Sequence, residues 1–259
     1  MKQTIRALGW ANIIFWIILL LFTVTAVYSA FQIRPGFGKG PSVTNIGGTF
    51  VVSLPISIYN GGFYDISKFN ITTQVQDNRG SPIARSSTFV PMVPKGENTT
   101  IDHRISLSIA QAASSNLTHL LFNDSELNVE AIVGLTYANA FPIEISANFT
   151  TPWGAPLANL TLGDMTITGF NLTHVRASIP FSFENHSFLE MSGTARIEIV
   201  DNAGNVVGGN AIDFDAPPGS RFDRNVEIFV TGNPASIREA RLYFQTPFFN
   251  YGPVVFPLV

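Results

Sequence analysis

The sequence predicts a mainly β protein: two tandem antiparallel β-sandwiches, each with one short helix, behind an N-terminal transmembrane helix. Three observations predict it. Leu54-Pro-Ile-Ser-Ile-Tyr-Asn60-Gly-Gly-Phe63-Tyr-Asp65-Ile-Ser67 returns 125 residues later as Ile179-Pro-Phe-Ser-Phe-Glu-Asn185-His-Ser-Phe188-Leu-Glu190-Met-Ser192. Short runs of alternating apolar and polar residues fill both copies. A long apolar run precedes them. A repeat of this length marks one module used twice, and each copy, at about a hundred residues, can bury a workable core.

The apolar run comes first. Ala7 to Phe31 spans 25 residues, and as a helix it reaches roughly 37 Å, enough to cross a ~30 Å hydrocarbon layer. Trp10 and Tyr28 lie near its two ends, where amphipathic rings settle at a membrane interface. Residues 1–31 therefore read as a cytosolic tail and transmembrane helix. A cleaved signal peptide is the competing reading, with Lys2 and Arg6 as its basic region and cleavage near Val27-Tyr28-Ser29. Residues 32–48 hold Pro35, Gly36, Gly38, Gly40, Pro41, Gly47 and Gly48 and read as a linker.

Within the first module, residues 49–151, Leu54, Ile56 and Ile58 alternate with Pro55, Ser57 and Tyr59. Phe69, Ile71, Thr73 and Val75 alternate with Asn70, Thr72, Gln74 and Gln76. Ile143, Ile145, Ala147 and Phe149 do the same against Glu144, Ser146, Asn148 and Thr150. Each predicts a strand with one buried and one wet face. Asp77-Asn-Arg-Gly80 and Asp201-Asn-Ala-Gly204 carry the Asx/Gly chemistry of tight hairpins, and Pro94-Lys-Gly96 matches Pro217-Pro-Gly219. Ile109, Ala113, Leu117, Leu120 and Leu121 form one apolar stripe over about four helical turns. In the second module, residues 157–259, the counterpart is shorter, with Asn233 as N-cap, Pro234 as first helical residue and an end near Ala240. Pro152-Trp-Gly-Ala-Pro156 is a short, stiff connector.

These elements in this order resemble the group-2 late-embryogenesis-abundant domain, also called the water-stress and hypersensitive-response domain. Apolar alternation leads to Asn60 or Asn185, then to a second strand, an Asp-x-x-Gly hairpin, a Pro/Gly turn and an amphipathic helix. The resemblance covers residues 45–259. That family carries Asn-Pro-Asn where this chain has Asn60-Gly61-Gly62 and Asn185-His186-Ser187, so only the first asparagine is kept. The resemblance implies a seven-stranded immunoglobulin- or fibronectin-like sandwich, no known catalysis, and a layout of short cytosolic tail, single helix and exposed domain.

Charged residues are 13% of the chain and net charge is -3, so no basic field favours nucleic acid. Eight Asn-X-Ser/Thr sites all lie beyond the apolar run: Asn70, Asn98, Asn116, Asn123, Asn148, Asn159, Asn171 and Asn185. They imply a glycosylating compartment and an extracellular location for the modules, with the amino terminus cytosolic. Asn185 shares the inward parity of Ile179, Phe181 and Phe183, as Asn60 shares that of Leu54, Ile56 and Ile58. Both are expected to be structural, and the other seven sequons to carry N-linked glycans. An exported chain without cysteine fits an archaeal or bacterial surface.

His103, His119, His174 and His186 have no metal-ligand spacing, and Asp213 with Asp215 reads as solvated strand carboxylates rather than a calcium site. No nucleophile elbow, phosphate loop or dinucleotide fingerprint occurs. No catalytic residue, metal or cofactor is expected. Two functional classes remain. One is a glycosylated, membrane-anchored surface protein that binds or protects envelope components. The other is a filament or lattice subunit that self-associates by strand pairing, suggested by Pro55 and Pro180 as markers of an edge strand and by the apolar C-terminal Val254–Val259, a last strand of module two that could pair with another chain.

Overall fold

A computed structural model describes residues 2–38, 40, 42–46, 49–108, 110, 113, 117–170, 174–231 and 234–258. The chain opens with helix α1 (Lys2–Ala30), of which Ala7–Ala30 is long and apolar enough to cross a membrane. Strands β1 (Ile33–Phe37), β2 (Ser42–Ile46), β3 (Thr49–Asn60), β4 (Ile66–Gln76), β5 (Pro82–Val93) and β6 (Asn98–Ser108) follow. Helix α2 (His119–Phe122), β7 (Ser125–Tyr137) and β8 (Phe141–Trp153) complete module one. Module two contains β9 (Ala158–Leu162), β10 (Thr166–Phe170), β11 (His174–Glu184), β12 (Met191–Asp201), β13 (Val206–Ala216) and β14 (Arg221–Thr231). A 3-10 turn at Pro234–Ser236 then leads to β15 (Ile237–Gln245) and β16 (Asn250–Pro257).

The two modules share one strand arrangement, with one further pairing in module two. In module one, β3 pairs with β6 on one side and with β1 and β2 on the other, and faces the sheet β5-β4-β7-β8. In module two, β11 pairs with β14 and with β9 and β10, and faces β13-β12-β15-β16; Gly208 and Gly209 of β13 also pair with Val230 and Phe229 of β14, which joins the two layers into one eight-stranded sheet. All pairings are antiparallel. The shared register follows from the preserved alternation, because a slip of one residue would turn every side chain to the other face. Ile56 and Ile58 of β3 meet Phe69 and Ile71 of β4 in the core of module one. Ile179, Phe181 and Phe183 of β11 meet Ile197, Phe214 and Phe244 in module two.

Four sequence expectations are corrected. Residues 32–48 are not only linker: β1 and β2 lie within them and pair with β3, and β9 and β10 are their counterparts on β11. Pro35 and Gly36 lie inside β1, and Gly38 and Gly40 follow it before β2 begins. Pro55 and Pro180 do not mark edge strands. Each lies where one flanking strand has ended and the next has not begun, so no partner asks for its missing N–H. Gly38 N–H and Gly163 N–H instead donate to the Pro55 and Pro180 carbonyls, at 2.9 and 2.8 Å. Pro234 opens one 3-10 turn, and β15 begins at Ile237, so no helix runs to Ala240; Asn233 lies outside the described residues. The inward-parity residues Ile145 and Phe149 of β8 are 62% and 55% exposed, because β8 is an outer strand that, among the described residues, pairs only with β7.

Of the predicted helical stripe, Ala113, Leu117, Leu120 and Leu121 are buried, α2 covers its last turn, and Ile109 lies outside the described residues. Asp77 and Asp201 hold their hairpins alike. Asp77 Oδ1 accepts the N–H of Arg79 (2.9 Å) and Ser81 (2.6 Å), and Asp201 Oδ1 those of Ala203 (2.9 Å) and Asn205 (2.8 Å).

The cores differ at one place. His103 is fully buried between the sheets of module one, with Nδ1 2.9 Å from Thr88 Oγ1 and Nε2 3.0 Å from Thr73 Oγ1. In module two the register places Val226, Ile212 and Ile197 at these positions. Burial lowers the His103 pKa below its ordinary 6.5, so the folded state holds it neutral. The unfolded chain binds the proton first, so this stability is full above pH 6.5 and is lost as pH falls through the lowered value. Thermal unfolding of the full chain in detergent should show module one losing stability between pH 7 and pH 5. The His103→Val variant should show a flatter pH dependence over that range.

Candidate functional site at the two junctions

Each module turns its chain around one buried asparagine. Asn60 and Asn185 are both 0% exposed. Asn60 Nδ2 donates to the carbonyls of Tyr64 (2.9 Å) and Val93 (3.0 Å), and its Oδ1 accepts Gly62 N–H (3.2 Å). Asn185 Nδ2 donates to Leu189 O (2.6 Å) and Ala216 O (2.7 Å), while its Oδ1 accepts from Ser187 N–H (3.1 Å) and Oγ (2.6 Å). Backbone bonds repeat as well. Asn60 N–H donates to Glu97 O and Gly96 N–H to Asn60 O, matched by Asn185 to Ser220 and Gly219 to Asn185. One side chain thus ties the end of a strand, the loop after it and the β5–β6 or β13–β14 turn.

The loops so held are docking surfaces, and each module docks the same end onto whatever precedes it. In module one that element is α1. Ser29, fully buried, accepts Phe63 N–H at 2.5 Å and lies 2.5 Å from the Tyr137 hydroxyl. Phe22 stacks on Phe141 with ring centroids 5.6 Å apart, and Tyr28 lies 6.3 Å from Phe63. Thr25 Oγ1 is 3.0 Å from the Tyr64 hydroxyl. Gly62 makes this approach possible: a Cβ there would sit 2.2 Å from the Tyr137 hydroxyl oxygen and 2.7 Å from Ser29 Oγ.

In module two the same end meets module one. Phe188, the counterpart of Phe63, packs on Phe50 (6.4 Å) and Trp153 (6.1 Å), and Phe248 of the β15–β16 hairpin packs on Phe50 at 5.3 Å. Leu157 N–H donates to Leu121 O (2.9 Å), and Trp153 Nε1–H to Leu120 O (2.8 Å). Phe50, Leu121 and Leu157 are continuous with the core of module two. Gly154 fits because His186 O lies 1.9 Å from where its Cβ would be.

A charged clasp closes this junction. His186 Nδ1 is 2.8 Å from Asp124 Oδ2, and its Nε2 is 3.0 Å from Glu184 Oε2. Hydrogen bonding to Asp124 and then to Glu184 raises the His186 pKa. Asp124 is held low first by Ala155 N–H and then by His186; Glu184 first by Asn159 and then by His186. The histidine contribution is full below 6.5 and lost as pH rises through its raised value. The carboxylate contributions are full above 4.5 and lost as pH falls. The clasp is therefore complete between those limits. His186 is about one-third exposed, so solvent screening keeps its worth small.

Other predicted positions are scattered. Asn98, Asn123, Asn148 and Asn159 are exposed. Asn70 faces outward but is half-buried, and its Oδ1 accepts Ser87 Oγ–H at 2.8 Å. Asn116 and Asn171 lie outside the described residues. Trp10 and Tyr28 are exposed on α1. Asp213 and Asp215 line an open cleft of about 490 Å³ with Arg221, Asp223 and Arg224. Among the described residues, no group of three His, Cys, Asp or Glu is placed to hold a metal ion. Sequence reasoning missed Ser29, Tyr137, Gly62, Trp153 and the Asp124–His186 clasp. Of these, Gly62 alone carried a signal, as one of the glycine pair that follows Asn60.

No protein-family model matches the chain, and no curated protein does. Solved structures similar to it include red sea bream transglutaminase, at 15% identity and TM-score 0.30 over 88% of this chain and 31% of that one. A glycosyl hydrolase family 2 member from Bacteroides cellulosilyticus gives 9% identity and TM-score 0.34 over 83% and 28%. A beta-glucuronidase of the same family gives 11% and 0.30 over 84% and 24%. The chain spans less than a third of the length of these three, and nothing about its activity follows from them.

The paired bonds of each asparagine set the cost of losing it. Asn60→Ala and Asn185→Ala should each destabilise the protein by ~1–3 kcal/mol, since two buried carbonyls lose their donor. Urea unfolding monitored by circular dichroism would check this, with the exposed Asn148→Ala as the neutral control.

Proposed function

We propose that this chain is a non-enzymatic, single-pass surface protein: a membrane anchor carrying a glycosylated tandem-sandwich ectodomain that binds or protects envelope components. The observation that carries this reading is the docking of α1 on module one. Ala26 and Ser29 are buried against the module, while the helix surface from Leu8 to Leu21 stays apolar and exposed. A segment whose end is built into the next domain is suited to being kept, which favours an anchor over a removable leader. Exposed sequons at Asn98, Asn123, Asn148 and Asn159 support the assignment of both modules to the outer side. The resemblance to the water-stress and hypersensitive-response domain agrees with a binding or protective role.

A second reading, a subunit assembled by strand pairing, keeps the support of the outer strands β8 and β16. β8 is a 13-residue outer strand that, among the described residues, pairs only with β7, with Ile145 and Phe149 exposed. Such an edge can accept a further strand. Pro55 and Pro180 no longer favour it.

Protease added to intact cells should digest both modules and leave a membrane-bound fragment containing Met1. A mature protein beginning near Ser29 or Ala30 would refute the anchor. Intact glycopeptide mass spectrometry should find glycan on Asn98, Asn123, Asn148 and Asn159 and none on Asn185. High occupancy at Asn185 would contradict the structural role given to it.

A further inference from the structure

We propose that the helix-side end of module one is seated in the surface layer of the bilayer, with the β7–β8 hairpin tip in contact with lipid. This rests on the reading of α1 as a membrane span.

The first argument is length. A ~30 Å hydrocarbon layer takes about 20 helical residues. Counted from Ala7, the first residue past Arg6, that thickness ends at Ala26. Contacts between α1 and module one begin earlier, at Phe22, which packs on Tyr64 and Phe141. The stretch clear of the module, Ala7 to Leu21, reaches only ~22 Å. The module therefore begins about 8 Å inside the hydrocarbon boundary. Tilting the helix draws the module deeper. Sliding it outward pulls Arg6 into hydrocarbon, where charge is disfavoured.

The second argument is chemistry. No charged residue occurs from Ala131 to Ile143, the stretch that contains the β7–β8 tip, or from Asn60 to Tyr64. Phe63 is 53% exposed and Phe31 85%. Exposed aromatic rings in segments beside an uncharged hairpin tip suit the membrane interface, where other shallowly bound elements bury an apolar face by ~5–10 Å.

The third argument comes from the repeat. In module two the equivalent hairpin places Phe248 against Phe50, so this end of the sandwich is covered by protein. In module one α1 covers only part of the same end. The bilayer surrounding α1 is continuous with that contact and reaches the remainder.

The chain has no cysteine, so single-cysteine variants can be spin-labelled in the full-length protein and reconstituted in phosphatidylcholine vesicles. Leu20→Cys reports the span, Ala140→Cys the hairpin tip, and Val206→Cys the far end of module two. Collision rates with oxygen and with a water-soluble nickel chelate are compared at each. The nickel-to-oxygen ratio at Ala140 should be several-fold lower than at Val206 and higher than at Leu20. A ratio at Ala140 equal to that at Val206, with Leu20 shielded, overturns the inference and leaves the anchor standing. Nickel access at Leu20 equal to that at Val206 would remove the anchor and the inference with it.

Discussion

The architecture depends on an asparagine side chain held at the inward end of a strand. A strand that has delivered its apolar residues to the core must turn while its last polar groups are still away from water. Unpaired groups there would cost more than the turn gains. Asn60 and Asn185 supply two donors and an acceptor where the backbone cannot complete its own pairing. The loop beyond each is thereby fixed, and that loop carries the phenylalanine, Phe63 or Phe188, that touches the preceding element. Module-to-helix and module-to-module contacts use one device twice.

The fold was legible wherever period-2 alternation survived, because alternation reports which face is buried and the repeat reports it twice. β3, β4, β11 and the two aspartate hairpins follow directly from it. The split flank of β1 with β2 was hidden because Gly and Pro signal both linkers and strand breaks. Alternation also misled at β8. The inward parity of Ile145 and Phe149 is real, yet parity says which way a residue points, and burial requires something opposite it. The buried asparagines were visible through parity alone. Ser29 was not: in an apolar run a serine is equally at home at a cleavage site, on a helix face or in a buried hydrogen bond, and its partner Tyr137 is 108 residues away.

The two copies have diverged in their cores while keeping their ends. Module two fills its interior with interlocking rings, Phe181, Phe183, Phe214, Phe222 and Phe244, with neighbouring centroids 5.4 to 6.5 Å apart. Module one leaves Ile145 and Phe149 uncovered and spends interior volume on three polar side chains. A tight apolar core stabilises in proportion to the area it removes from water. Module one instead gains support from outside itself, with α1 at one end and module two at the other.

The polar trio of Thr73, His103 and Thr88 has a consequence for how the chain assembles. Tandem copies of one topology are prone to trade strands, since each copy offers its neighbour a plausible mate. Here a trade carries its own penalty. If β12 took the place of β4, Ile197 would meet His103 and leave an imidazole nitrogen buried without a partner. If β4 entered module two, Thr73 would bring an unsatisfied hydroxyl against Val226. Three side chains thus act as an identity mark, readable only between strands of the same copy, and let two similar modules mature side by side without confusing their parts.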